Sequence, residues 1–326
     1  MDPEQDAREQ RVDEICADPG QALRQGVDLL GAGLPEDRAL GCDVLGRVGS
    51  RHPRFAEPVV TALLALADRE TEGCVLAGLA HALEFLNDPR SVPALITLAD
   101  HPDPAVRVEV PVALACIPGA TPDGAAVRTL IALTRDEDDE VRNWATFALG
   151  YQAEADSPAI RAALWARTTD PYRDARAEGV HGLARRHDPR AVPLVAELLD
   201  AEDGAHLFTF EAAQYLGAPE LLPHLDAYEP DSPGVEAATA ACDPLLRARA
   251  ESAAWAVLCA AHELCPELDL VLYQERYATG LTLCPAALTE APGYDAAALL
   301  ARAEGDPRRA AELVAEDAKD RHGVTS

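Results

Sequence analysis

Apolar residues in this chain come in short stretches at helical spacing, separated by connections rich in Asp and Pro. One stretch places Val141, Ala145, Ala148 and Leu149 on a single helical face. Others open near a proline, at Pro58, Pro93, Pro193 and Pro223, a residue that needs no N–H partner in a first helical turn. Connections such as Asp100-His101-Pro102-Asp103-Pro104 end one helix and cap the next. The pattern predicts pairs of antiparallel helices joined by short turns.

The pairs repeat. Asp88-Pro89-Arg90-Ser91-Val92-Pro93 returns 100 residues later as Asp188-Pro189-Arg190-Ala191-Val192-Pro193, about three units of roughly 33 residues. Asp103-Pro104-Ala105-Val106-Arg107 returns as Asp138-Asp139-Glu140-Val141-Arg142, with a looser copy ending at Arg176. Seven residues after these arginines stand Leu114, Leu149 and Leu183; the same frame relates Arg38 to Leu45, Leu76 to Leu83 and Thr209 to Leu216. Ala113, Gly182 and Ala212 keep the second helices slim enough to approach one another. No single unit can bury such a face, so the units must stack. They fall at about 16–49, 50–87, 88–119, 120–152, 153–187 and 188–217, with a degenerate seventh from 218.

The phrase D-P-R-x-V-P-x-L, followed by D-x-D-P-x-V-R-x-x-x-x-x-A-L, resembles HEAT repeats, particularly the short HEAT-like type of phycobilisome lyases. The resemblance covers about two-thirds of the chain and is most specific in units three to six. It implies an all-α fold, a right-handed α-α superhelix of about seven helical hairpins whose second helices line the concave side. It leaves the activity open, because this repeat serves scaffolds, lyases and nucleic-acid enzymes. It also implies that Arg38, Arg107, Arg142 and Arg176 meet inter-helix acids of neighbouring units, here Asp103, Asp138 or Asp170. That reading makes them a structural ladder and not a basic stripe.

Three regions follow: a polar extension over 1–15, the repeats over 16–230, and a degenerate repeat with a helical cap over 231–326. In the last, 245–264 reads as one long helix, and 296–303 with 307–318 as a closing pair. The stretch 268–284, rich in Leu, Val, Tyr and Thr around Gly280, fits either a hairpin or two short helices.

Charge narrows the partners. Against 56 Asp+Glu the chain carries 28 Lys+Arg, of which only Lys319 is lysine, for a net charge of −28. Polyanions are disfavoured by such a field, which argues against nucleic acid, against a HEAT-like DNA glycosylase and against anionic membranes. Between 191 and 246 there are eleven acids and no Lys or Arg, a block that favours a basic partner or serves solubility. Eight cysteines without a C-x-x-C pair, mostly beside Ala, Leu and Val, read as free buried thiols, and no secretory signal is visible. The expected compartment is the cytoplasm.

Candidate chemistry is sparse. Cys259, His262 and Cys265, with Cys284 further on, are the only metal-like group, but three-residue steps along a helix spread over ~120° and converge poorly. No nucleophile elbow or phosphate loop is present, so no catalytic residue, metal or cofactor is assigned. The acidic run 136–140 reads as a solvated inter-helix turn that favours the next helix N-terminus.

The register itself points to a binding face. With each unit's Arg position taken as zero, positions +1 and +5 face away from the buried Leu, and +2 lies on the flank. This selects Asp43, His81, Val112, Asn143, Phe147, His181 and Gln214 on the ridge, and Glu109, Trp144, Glu178 and Glu211 beside it. Tyr151 and Phe210 add aromatic surface. Phe147 and Phe210 are the preferred anchors of an aromatic patch with an acidic rim. Trp144 and Tyr151 fit either that patch or packing between units. The reading is a non-catalytic adaptor for a protein or peptide, basic in character; the alternative implied by the resemblance is a lyase or chaperone assisting chromophore or cofactor attachment.

Overall fold

The structure is a computed structural model and describes residues 3–118, 121–201, 205, 207–274, 280–285 and 293–322. It divides into two compact units, Met1–Leu183 and Ala184–Ser326. Among the described residues no helix is long and apolar enough to cross a membrane.

The first unit begins with α1 (Pro3–Ile15). Hairpins follow: α2 (Pro19–Leu29) with α3 (Pro35–Arg51), and α4 (Ala56–Ala67) with α5 (Gly73–Glu84). Next come α6 (Val92–Ala99) with α7 (Pro104–Arg107) and α8 (Val110–Ala115), then α9 (Ala125–Leu133) with α10 (Asp139–Phe147). A π-helical turn, Ala148–Gln152, extends α10, and α11 (Pro158–Arg167) pairs with α12 (Arg173–Arg185). The hairpins fall on the units read from the periodicity. Pro58 and Pro93 lie in the opening turns of α4 and α6. Second helices stack in order, α3 on α5, α5 on α7 and α8, and α8 on the π turn. The register leucines Leu45, Leu83, Leu114, Leu149 and Leu183 are each 0% exposed, so this position is the axis of the core.

The polar N-terminal segment forms a helix that docks on α3. Val12 is buried against Leu40, Val44 and Val48, and Arg8 and Asp13 pair with Asp43 and Arg47 of α3. Val12 and Ile15 are the apolar contacts that this largely charged helix makes with the first hairpin.

An arginine ladder joins successive hairpins, with acids other than most of those anticipated. Arg38 donates to Glu70 at 2.7 and 3.0 Å, Arg107 to Asp136 at 2.7 and 2.7 Å, and Arg142 to Asp170 at 3.1 and 3.2 Å. Each guanidinium also donates from Nη1 to two carbonyls of its own inter-helix turn: Ala32 and Gly33, His101 and Pro102, Asp136 and Glu137. Each acid in turn accepts the backbone N–H two residues on, from Glu72, Asp138 or Tyr172. One side chain therefore ties its own turn to the next, and a planar fork of donors suits that task.

Asp103 and Asp138 cap α7 and α10 instead, accepting from Ala105 N and from Glu140 N and Val141 N. They stand next to the helix, within reach of its unpaired N–H groups, whereas the ladder acids stand two residues earlier. Where Leu76 replaces the arginine, the next unit has His101 in place of the acid, its Nδ1 accepting Asp103 N. Arg176 is exposed. In the run 136–140, Asp139 also pairs with Arg142 and Glu140 accepts the Tyr172 hydroxyl, while Glu137 is exposed.

The ladder makes stability depend on acid. Hydrogen bonding from Arg38 pulls Glu70 from the usual 4.5 down to about 2. Burial works against Asp136 and Asp170, but their arginines and backbone donors outweigh it and hold both below the ordinary range. A carboxylate lowered by folding stabilises fully above its unfolded pKa and loses that contribution as pH falls through the folded one. Urea unfolding is therefore expected to show a steady stability loss from pH 4.5 toward 2, reduced by Glu70→Gln. An unchanged acid profile in that variant would contradict the assignment.

The second compact unit, Ala184–Ser326, contains α13 (Ala191–Leu199), α14 (Leu207–Leu216), α15 (Leu222–Leu225), α16 (Val235–Cys242) and α17 (Pro244–Leu264). It ends with β1 (Leu270–Tyr273), β2 (Thr282–Pro285), β3 (Tyr294–Asp295), α18 (Ala296–Arg302) and α19 (Pro307–His322). The ambiguous stretch is the hairpin, an antiparallel β1-β2-β3 sheet with Leu270 opposite Pro285 and Tyr273 opposite Thr282. The helical solenoid thus carries a small sheet. Leu270 is buried while Val271 and Tyr273 are exposed, the alternation of a strand with one covered face. Leu270 and Leu283 pack with Val257, Leu258, Ala261 and Val314 in a core of their own.

Candidate functional site

The hairpin stacking sets which side chains meet outside the core. At the junction of the fourth and fifth units, Gly150 in the π turn faces Gly182 in α12. A Cβ on Gly182 would lie 2.7 Å from the Gly150 Cα, so the two backbones touch. That approach lays Tyr151 over His181, with ring centroids 5.4 Å apart and planes 29° from parallel. Phe147 also stacks on Tyr151, at 5.3 Å and 11°, and Trp144 meets Phe147 edge-on at 5.6 Å. The result is a continuous row of four rings, with Trp144 41% and Tyr151 37% exposed at its surface.

Glu178 belongs to the same junction. It is half-buried, and burial, aided by Asp174, pushes its carboxyl up to about 7. Among the described residues no cation stands against it.

A similar group lies between the second and third units. His81 and Phe85 of α5 meet edge-on at 5.0 Å. His81 Nδ1 lies 3.4 Å from Glu109 and 3.9 Å from Glu84. Pairing with Glu109 raises the imidazole pKa, and burial raises that of Glu84. Phe85 is 47% exposed. Ring faces beside carboxyl groups attract cations through both the quadrupole and the charge.

The structure thus brings His81 to Glu109, and Trp144, Phe147, Tyr151 and His181 to one another. Asn143, Glu178 and Val112 are half-buried on the same helices, and Asp43 is engaged by Arg8. Two of the expected ridge residues turn inward. His181 is 3% exposed because Tyr151 covers it. Phe210 is 5% exposed and packs edge-on against Tyr228 at 5.0 Å. The left-handed Gly234, whose position would carry a Cβ 3.0 Å from Phe210, brings the following segment over that ring. Glu211 and Gln214, on the same α14, are half-buried.

Phe85 and Glu84 lie outside the +1, +2 and +5 positions that the register selects. Extending it to +9 aligns Phe85 with Tyr151, both exposed aromatics one turn beyond a ring at +5.

The metal-like trio is separated by its partners. His262 Nε2 is 2.7 Å from the Leu270 carbonyl, the Cys265 thiol donates to Ala261 O at 3.1 Å, and Cys259 is exposed. Among the described residues no group of three metal-capable side chains assembles. Cys74 and Cys259 are exposed, in contrast to the buried thiols that the sequence suggests, while Cys42, Cys242 and Cys265 are buried. Burial pushes Cys42 up to about 12 and Cys242 to about 11, leaving both as inert thiols at neutral pH.

Residues 59–150 match the HEAT-repeat family. Protein YibA of Escherichia coli strain K12 is 33% identical over 125 residues, 38% of this chain and 44% of YibA. YibA of Escherichia coli O157:H7 matches to the same extent. The chain thus spans less than half the length of the curated relatives it matches. The crystal structure of Escherichia coli YibA aligns with a TM-score of 0.55 at 23% identity, covering 74% of this chain and 96% of that one. The phycobilisome-lyase type receives no separate support from these similarities. Hairpin stacking, the match of residues 59–150 to HEAT repeats and the fold shared with YibA show an α-solenoid that contains HEAT-like repeats.

Proposed function

We propose that the chain is a non-catalytic HEAT-repeat adaptor that binds a basic protein or peptide along the ridge of its second helices. The observation that carries this reading is the row Trp144–Phe147–Tyr151–His181 with Glu178 beside it. Large aromatics that stay exposed in a well-packed unit act as binding anchors, and the surrounding acids select a cationic partner. The net charge of −28 supplies the long-range attraction.

The test is a set of synthetic peptides graded from acidic to basic, offered to the immobilised chain at several salt concentrations. Retention is expected to rise with positive charge, fall with salt and drop about tenfold or more when Phe147 and Tyr151 are both alanine. Retention that ignores peptide charge, or that survives the double substitution unchanged, would overturn the reading.

A further inference from the structure

The two ring-and-carboxylate groups occupy equivalent places in the repeat. In the second unit, His81 stands at +5 and Phe85 at +9; in the fourth, Phe147 at +5 and Tyr151 at +9. In both, those rings contact each other, at 5.0 and 5.3 Å. In both, the following unit contributes a glutamate at +2, Glu109 or Glu178. The intervening third unit has Val112 and Cys116 at the corresponding positions and Trp144 at the next +2, so the pattern skips one repeat. Of the first unit, Asp43 and Arg47 at these positions are taken up by α1.

We infer that the ridge carries two matched receptors for cationic side chains, two repeats apart, which together read a pair of arginines in one extended peptide. Each receptor offers exposed ring surface for a guanidinium, Phe85 at the first and Trp144 with the edge of Tyr151 at the second, and a carboxylate from the next hairpin to pair with it. Both remain acidic on balance. At the first, Glu84 and Glu109 outnumber His81 even when the imidazole is protonated, and at the second the charge that acts on Glu178 is that of another acid, Asp174. The raised pKa values of Glu84 and Glu178 agree with carboxyls that lack a strong cation and would ionise when one arrives.

Spacing gives the inference its specificity. Two steps of about 10 Å between stacked helices place the receptors about 20 Å apart. An extended chain advances about 3.3–3.6 Å per residue, so arginines at i and i+6 reach both receptors and arginines at i and i+2 reach one.

This rests on the adaptor reading, and the experiment separates the two. Four blocked Gly/Ser peptides are titrated calorimetrically into the full chain: one with a single arginine, one with arginines at i,i+2, one at i,i+6, and an i,i+6 control with citrulline. The i,i+6 peptide is expected to bind about tenfold or more tighter than the single-arginine peptide, with little gain at i,i+2 and no binding of the control. Glu178→Gln, or Glu84→Gln with Glu109→Gln, should each bring the i,i+6 affinity down to the single-arginine level. Thermal unfolding checks that these variants fold. Arginine peptides that bind alike at every spacing overturn the paired receptors while leaving the adaptor reading in place. If no arginine peptide binds better than citrulline, both fall.

Discussion

Arg107→Ala is expected to destabilise the first unit by about 3–5 kcal/mol in urea unfolding, because it strands a buried carboxylate. Arg107 and Asp136 have side chains only 9% exposed each, and both oxygens of Asp136 accept from this one guanidinium. The substitution also leaves the His101 and Pro102 carbonyls without their shared donor. Arg107→Lys should recover only part of the loss, since an ammonium cannot serve the carboxylate and the two carbonyls in the same planar geometry. Arg142→Ala is expected to cost less, because Arg167 stays 2.7 Å from Asp170. Arg176→Ala, at an exposed position of the same register, should stay within about 0.5 kcal/mol of the parent. Equal costs at 107 and 176 would mean that the ladder contributes nothing.

Leu149→Ala is expected to cost about 2–5 kcal/mol, the range for deleting a fully buried leucine side chain whose surroundings collapse only in part. Leu149 is 0% exposed and sits inside the π turn, where the Gly150–Gly182 approach leaves little freedom for the backbone to close the void. Its effect should extend to the ring row, since the same turn positions Tyr151 over His181. Leu216→Ala provides the contrast. It holds the same register position on α14 but is only half-buried, and a smaller loss is expected. The comparison is made by urea unfolding of the two variants, and similar losses would contradict the difference in packing.

The period of the apolar residues carries the hairpins because burial of the leucine seven places after each arginine is a local consequence of helical geometry. It cannot say which acid completes the ladder. Asp136 and Asp138 differ by two residues, and their roles separate only when the next hairpin is in place. The same limit governs the site. Outward positions such as Phe147 and His81 follow from register, but Phe210 is covered by the segment around Gly234, which lies in a degenerate repeat with no period to follow. His181 is covered by Tyr151, a contact that depends on the π turn and a glycine pair. The strands at 270–273 and 282–285 are too short for periodicity to distinguish from helix, and pairing across the hairpin decides them.

Under the proposed function, cationic partners are expected to bind at the exposed rings of the second-helix ridge. A chain with Trp165→Phe and Trp255→Phe retains Trp144 as its sole indole, directly on that row. Titrating it with the arginine i,i+6 peptide should change the Trp144 fluorescence with a midpoint equal to the calorimetric Kd. Calorimetric binding that leaves the Trp144 emission unchanged would place the partner elsewhere and contradict the account.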